Sequence, residues 1–492
     1  MLIRRVMVDD VWPPAHQDTT ADVVDLRIVG DRIDEIGPRL AARVDEAVIE
    51  GHGGSVIPGL HDHHVHLRAW AAAASSVEAG PPAVTSAEQL AQRLRSAPGA
   101  RGTWIRAVGY HESTAGDLDR HALDALMAER PVRLQHRTGG LWILNSRALD
   151  ELGLFAQSSD MGASGRPAGV ELDAAGSPTG RIWREDRWLH DQLATLGATW
   201  TPDLSTVSRQ AARLGVTGFT DATPNHDASA IDALVSACDD GSIPQRLHFM
   251  ISADAPAPDV PGARLSSRCS VGPVKVLLDD ATLPSFDDLV ALLRRAHAGG
   301  RPVAVHCVTR TQAAFTVAAF AEAGSRSGDR MEHGAVLGSD ILEVIRALGL
   351  TVVTQPGFVF SRGDRYLVDV EHDDRDDLWR LGSLIDAGLP VALGTDAPFG
   401  PDDPWVVARV AATRQTAGGR SLGATERISA RRALGLFCGS PERPSVARSV
   451  APDAVADLVI LAEPLDATLA GGDPTVLATI VAGTVVHRAE TG

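Results

Sequence analysis

The sequence predicts an α/β chain built on a (β/α)8 (TIM) barrel, and three observations lead there. Short apolar runs recur along the chain, one gap between them is too long to be a connection, and both chain ends carry short β-leaning runs around turn residues.

The runs are Asp62 to Leu67, Val216 to Ala222, Arg246 to Ser252, Pro273 to Leu278, Pro302 to Cys307, Arg330 to His333, Thr351 to Gln355 and Val391 to Asp396. From the second onward, most are separated by segments with helical spacing, such as Phe286 to His297 and Asp340 to Leu348. That alternation makes βα units, which close into a barrel. The first two runs lie about 150 residues apart, so Ala71 to roughly Pro202 is expected as an inserted subdomain overhanging the barrel mouth.

Near the start, Val24 to Val29 and Arg32 to Ile36 flank Gly30-Asp31 as a hairpin; near the end, Ala456 to Leu461, Ala478 to Val481 and Thr484 to His487 follow suit around Ala482-Gly483. The expected division is a small β-sandwich domain from residues 1–57 and 437–492, and a barrel from 58–436 with the insertion at about 71–202.

A formal charge of -17 argues against nucleic acid or anionic lipid as partners, because both are polyanions. Small neutral or polar substrates stay open. No stretch reaches the roughly 18 apolar residues of a spanning helix, and Met1 to Asp10 lacks the apolar core of a signal peptide, so the expected location is cytoplasmic. Cys238, Cys269, Cys307 and Cys438 are too scattered for a zinc knuckle or a disulfide scaffold and read as reduced and buried.

The chemistry concentrates in Pro58-Gly59-Leu60-His61-Asp62-His63-His64-Val65-His66. His64 and His66 are two apart on a predicted strand, so period-two geometry turns both to one face, where they can share a cation, while His61 and His63 take the other. His306, His333 and Asp396 each sit at or near the C-terminal end of a separate run, the face on which this fold builds active sites. Taken singly, each is equally a satisfied core polar group.

Lys275 is the chain's sole lysine, the other 45 of its 46 basic residues being arginine. A neutral amine can add carbon dioxide to form a carbamate, an anionic ligand able to bridge two metals, which arginine cannot do. Chance would place one lysine on a barrel strand end roughly once in sixty.

These motifs resemble the metal-dependent amidohydrolase superfamily, and within it the YtcJ-like branch that includes N-substituted formamide deformylases. The resemblance runs nearly end to end: the opening His-x-His segment, Gly215-Val216-Thr217 with Asp221-Ala222, Val274-Lys275, His306, Glu332-His333, Gln355-Pro356, and Gly394-Thr395-Asp396-Ala397-Pro398 leading to Asp403-Pro404-Trp405. In the insertion, Asn145-Ser146-Arg147-Ala148-Leu149 and Ser177-Pro178-Thr179-Gly180 belong to it too.

The resemblance implies that His64 and His66 bind the more buried metal, a carboxylated Lys275 bridges, His306 and His333 hold a second metal, and Asp396 ligates and acts as base. The implied function is hydrolysis of a carbon-nitrogen bond, in an amide, N-formyl group or cyclic amide, by metal-activated hydroxide, with Asp396, Lys275 and His333 catalytic. A divalent cation lowers the pKa of bound water from about 15.7 toward 7. Zinc suits the ligand set best, with manganese, iron and nickel open and one or two ions allowed.

Two other functions compete. A mononuclear deaminase of the same superfamily often has a glutamate three residues after the fifth-strand histidine, where this chain has Thr309. A non-catalytic scaffold lacks ligands that this chain keeps. A homodimer is common among such relatives, although no exposed apolar helix points to one.

One departure concerns the insertion, where Arg137-Thr138-Gly139-Gly140-Leu141-Trp142 replaces a Gly-His step, so Trp142 is a candidate substrate contact against its ordinary reading as core. His111, with His136 and Arg137 in the same insertion, is a second candidate. Tyr366, read as lying in the loop after the seventh strand, is a third.

Overall fold

The structure, a computed structural model, describes residues 1–11, 22–100, 102–155, 166–198, 202–224, 226, 228–252 and 267–490. The chain divides into two compact units, Met1–Leu67 with Leu204–Gly492, and Arg68–Asp203.

The first unit holds an eight-stranded parallel sheet of β1 (Leu60–Val65), β2 (Val216–Asp221), β3 (Arg246–Ser252), β4 (Cys269–Leu277), β5 (Val303–Cys307), β6 (Arg330–His333), β7 (Thr351–Thr354) and β8 (Val391–Leu393), in sequential order. β1, β2, β6, β7 and β8 are buried at every residue, as befits strands covered on both sides. Helices Phe286–Ala298 and Ser339–Leu348 lie where the apolar spacing predicts them. The first starts where the Ser285 side chain accepts from Asp288 N, and the second ends at Gly349 in the left-handed conformation.

Several strand limits differ by a few residues from the sequence reading, and two of them bear on the site. β1 ends at Val65, so His66 lies just past it and Leu67 opens a helix; β8 ends at Leu393, not Asp396. The cause is closure of the barrel. β8 and β1 form no ladder, and the residues after β8 join β1 individually: Asp396 N donates to His64 O at 2.8 Å and His66 N to Ala397 O at 2.9 Å. Gly394 permits the approach, because a Cβ there would lie 2.6 Å from the His64 Cβ.

Both chain ends enter a second eight-stranded sheet, ordered Thr484–Arg488, Val476–Val481, Leu458–Leu461, Ser55–Pro58, Leu2–Val8, Val23–Val29, Arg32–Gly37, with Val48–Glu50 beside Leu2–Val8. Leu26 and Ile28 share one core with Leu458, Ile460 and Ile480, so the small sandwich is a single sheet bent over itself.

The second unit carries a six-stranded sheet ordered Val170–Leu172, Pro178–Trp183, Leu141–Leu144, Val132–His136, Ile105–Tyr110, Val77–Glu78. Asn145 is fully buried at its centre. Its Oδ1 accepts from Val132 N and Ala148 N, and its Nδ2 donates to Met127 O and Arg130 O, which completes its hydrogen-bonding capacity. Gly180, at φ 98, passes so close to the strand ending at Leu144 that a Cβ would sit 2.5 Å from Leu144 O. The two insertion motifs are therefore structural. Among the described residues, no helix is long and apolar enough to cross a membrane.

Candidate metal centre

The barrel seam brings His64, His66, His333 and Asp396 together. Asp62, buried beneath it, accepts from Thr395 N at 3.0 Å, His64 N at 3.2 Å and the Thr395 hydroxyl, tying the segment after β8 to the His-x-His segment. Burial pushes the Asp62 carboxyl up to about 7, against the pull of those hydrogen bonds.

Across this seam His66 Nε2 lies 3.3 Å and His64 Nε2 3.7 Å from Asp396 Oδ1, and His333 Nδ1 lies 3.9 Å from Asp396 Oδ2. Candidate ligand atoms of His64, His333 and Asp396 all fall within 4.8 Å of one another. The ring of His306 stands 4.5 Å from that of His333, at 75°. His333 and Asp396 both adopt left-handed backbone, at φ 69 and 57, a conformation that non-glycine residues hold only where surroundings enforce it.

Three of the candidate ligand rings are oriented through a second nitrogen. His64 Nδ1 bonds Glu332 Oε2, and Glu332 is held in turn by Arg330 Nε at 2.7 Å. His66 Nδ1 meets Thr223 Oγ1 at 3.1 Å, and Asp221 Oδ1 accepts from Thr223 N at 2.9 Å. Gln355 Nε2 donates to Val353 O, so its Oε1 faces His333 Nδ1 at 2.7 Å and draws the ring proton there, leaving Nε2 its lone pair. The sequence reading had Glu332 and Gln355 only as parts of a pattern. The available signal for Glu332 was an acid two residues from an arginine on a short buried strand.

Three buried atoms here have no hydrogen-bond partner: His64 Nε2, Lys275 Nζ and Asp396 Oδ1. Buried polar atoms are ordinarily satisfied, and unpartnered donors of this chemistry are what a cation site requires. Burial also favours the neutral, ligating form of the nitrogen donors. It lowers the His64 and His333 rings well below the usual histidine range, with Lys275 adding at His64 and His306 at His333. It lowers the Lys275 ammonium, while Glu332 and Asp396 pull the other way. Cys307 beside His306 is different, since burial pushes its thiol up to about 12 and its Sγ contacts Thr316 Oγ1 at 3.1 Å. It is no thiolate ligand.

Glu332→Gln is expected to weaken metal binding about 10- to 100-fold, since it loosens a ligand's support, and to leave the Arg330 charge buried without its counter-ion. A competition titration with a chelating dye measures the affinity; an unchanged value removes Glu332 from this role.

The three candidate substrate contacts fare differently. Trp142 is 4% exposed in a core with Leu144, Leu149 and Ile182; its Nε1 donates to Asp186 Oδ1 at 2.8 Å, and Arg106 and Arg133 approach its ring. This is a core residue with a satisfied polar handle. Trp142→Ala should cost about 3–5 kcal/mol in denaturant unfolding, whereas a pocket role would raise KM at unchanged stability.

His111 caps the helix Glu112–Ala115, its Nδ1 accepting from Ser113 N at 3.1 Å. That leaves the neutral ring's proton on Nε2, 3.5 Å from Glu112 Oε2. Tyr366 lies in helix Gly357–Asp369, not in a loop, packed against the core of Phe358, Leu378 and Trp379.

The amidohydrolase family model matches residues 47–487. The N-substituted formamide deformylase of Arthrobacter pascens is 25% identical over 475 residues, covering 85% of each chain. The putative amidohydrolase YtcJ of Bacillus subtilis strain 168 is 25% identical over 427 residues, covering 78% of this chain and 79% of its own. An uncharacterized metal-dependent hydrolase from Pyrococcus horikoshii OT3 shares the fold at a TM-score of 0.71 and 20% identity, over 94% of this chain and 98% of its own. With a family match spanning nearly the whole length and the amidohydrolase barrel beneath it, the chain belongs to the amidohydrolase family of enzymes.

Proposed function

We propose that this amidohydrolase cleaves a carbon-nitrogen bond of a small molecule, in an amide, N-formyl group or cyclic amide, with a divalent metal held by His64, His66, Lys275, His306, His333 and Asp396. The observation that carries the reading is that His64 Nε2 and Asp396 Oδ1, 3.7 Å apart, and Lys275 Nζ are all buried without hydrogen-bond partners. When bound, a divalent cation, with zinc the best match to nitrogen and carboxylate donors, acidifies water and polarises a carbonyl.

The chain's own residues supply the rest. Asp396 accepts the proton of the attacking water through a carboxylate oxygen and returns it to the leaving nitrogen. The Glu332, Thr223 and Gln355 contacts hold three imidazoles in place before substrate arrives, so little reorganisation accompanies the reaction. Burial lowers the Lys275 ammonium toward the neutral amine that carboxylation needs, and as a carbamate it would supply anionic oxygen ligands. Thr309 supports amide hydrolysis over deamination: its side chain caps helix Arg310–Ala323 and donates to Asp280, so position 309 does not itself carry the glutamate expected of a deaminase.

Metal analysis by plasma mass spectrometry, on protein purified without chelator, is expected to find one to two equivalents of a transition metal. A parallel screen of N-formyl, N-acyl and cyclic amides should find turnover that a chelator abolishes and added metal restores. No bound metal after reconstitution with bicarbonate would overturn the reading.

A further inference from the structure

The strand entrances, at the end of the barrel away from the metal ligands, surround a cavity of about 810 Å³ lined by His248, Arg301, Arg330, Glu442, Arg443 and Ser445. The chain enters β5, β6 and β7 here at Pro302, Arg330 and Thr351, and the hairpin of Gly439–Ser440 with Arg443–Ala447 forms another side. Three arginines and one glutamate line the cavity, in a chain whose net charge is -17.

Of the three, only Arg330 is neutralised, by Glu332. Even so, its Nη1 is buried without a hydrogen-bond partner, and the residue is 2% exposed. Arg301 donates to the Gly272 carbonyl at 3.2 Å, and among the described residues neither Arg301 nor Arg443 has an ion pair. The His248 ring, on the same wall, is lowered to about 3 by burial first and then by the Arg330 and Arg301 charges. Holding cations together without counter-charge costs free energy, and an anionic ligand recovers it; the guanidinium fork matches the oxygens of phosphate and carboxylate. The volume lies within the roughly 300–1,000 Å³ of small-molecule sites, more than a lone ion needs.

We propose that this cavity is a binding site for a small oxyanion, a phosphate- or carboxylate-bearing molecule, held by Arg301 and Arg443 with Arg330 at its inner wall. The site stands independently of the hydrolytic reading, since it shares no ligand with the metal centre.

The test is isothermal titration of the metal-loaded enzyme with inorganic phosphate and, separately, with citrate, both at ionic strength matched with sodium chloride. The same titrations are run on an Arg301→Gln/Arg443→Gln variant; Arg330 is left in place because it holds Glu332. Saturable binding of either anion, weakened at least tenfold in the variant, is the expected result, and the anion preferred says whether phosphate or carboxylate is the natural group. If the double variant loses its folded circular dichroism, Arg443→Gln alone, on the exposed hairpin, carries the comparison. Heats no larger than those of chloride, or binding that the substitutions leave intact and that therefore lies elsewhere, would overturn the proposal.

Discussion

Lys275→Ala should abolish hydrolysis and strip most of the bound metal while the far-ultraviolet circular dichroism spectrum stays that of the parent enzyme. The side chain is 4% exposed and its Nζ has no hydrogen-bond partner, so removing it breaks no polar contact in the barrel. What is lost is a ligand. If a metal centre supplies several kcal/mol of transition-state stabilisation, its loss corresponds to about 10³-fold or more in kcat/KM.

Lys275→Arg should fare no better, because a guanidinium cannot give up its proton to become a nucleophile for carbon dioxide or a donor to a cation. Lys275→Glu separates the carbamate from a bare amine: a carboxylate restores anionic oxygens and should recover part of the metal content, which a neutral-amine ligand would not predict. Metal content and activity assayed on the same preparations decide the matter. Normal turnover in Lys275→Ala would end the bridged-centre model.

Asp396→Asn should do the reverse, keeping much of the metal and losing about 10²–10⁴-fold in kcat. The amide preserves volume and one ligating oxygen but cannot take up the proton. The backbone favours this test, since Asp396 sits at φ 57 and asparagine is among the residues that tolerate the left-handed region best. A loss confined to kcat, with metal retained, identifies a proton acceptor; retained turnover removes Asp396 from that role.

The eight barrel strands were legible because their runs are short and mostly separated by helically spaced segments; β3 coincides with its predicted run, Arg246 to Ser252. The hairpins at both ends were legible from turn chemistry, with Val29 opposite Arg32 and Val481 opposite Thr484. Tyr366 was misplaced because a helix that starts directly after β7 at Gly357 has mixed apolar spacing, and its pattern is set by packing against Phe358, Leu378 and Trp379. Trp142 illustrates a different gap: an indole suits a pocket and a core equally well until Asp186, far along the chain, takes its N–H.

Strand period and turn chemistry, which are local properties of the chain, made the fold class readable from the sequence; the His-x-His spacing, strand-end positions and the rarity of lysine singled out the six candidate ligands, and the family came from the resemblance of those motifs. Only the tertiary structure decided how those ligands are held. Glu332 reaches His64 across 268 positions of sequence and Thr395 reaches Asp62 across 333, and no local pattern encodes such a pair. The left-handed turn at Asp396, and the seam that makes β8 stop short, likewise follow from closing a barrel whose first and last strands meet through single hydrogen bonds instead of a ladder.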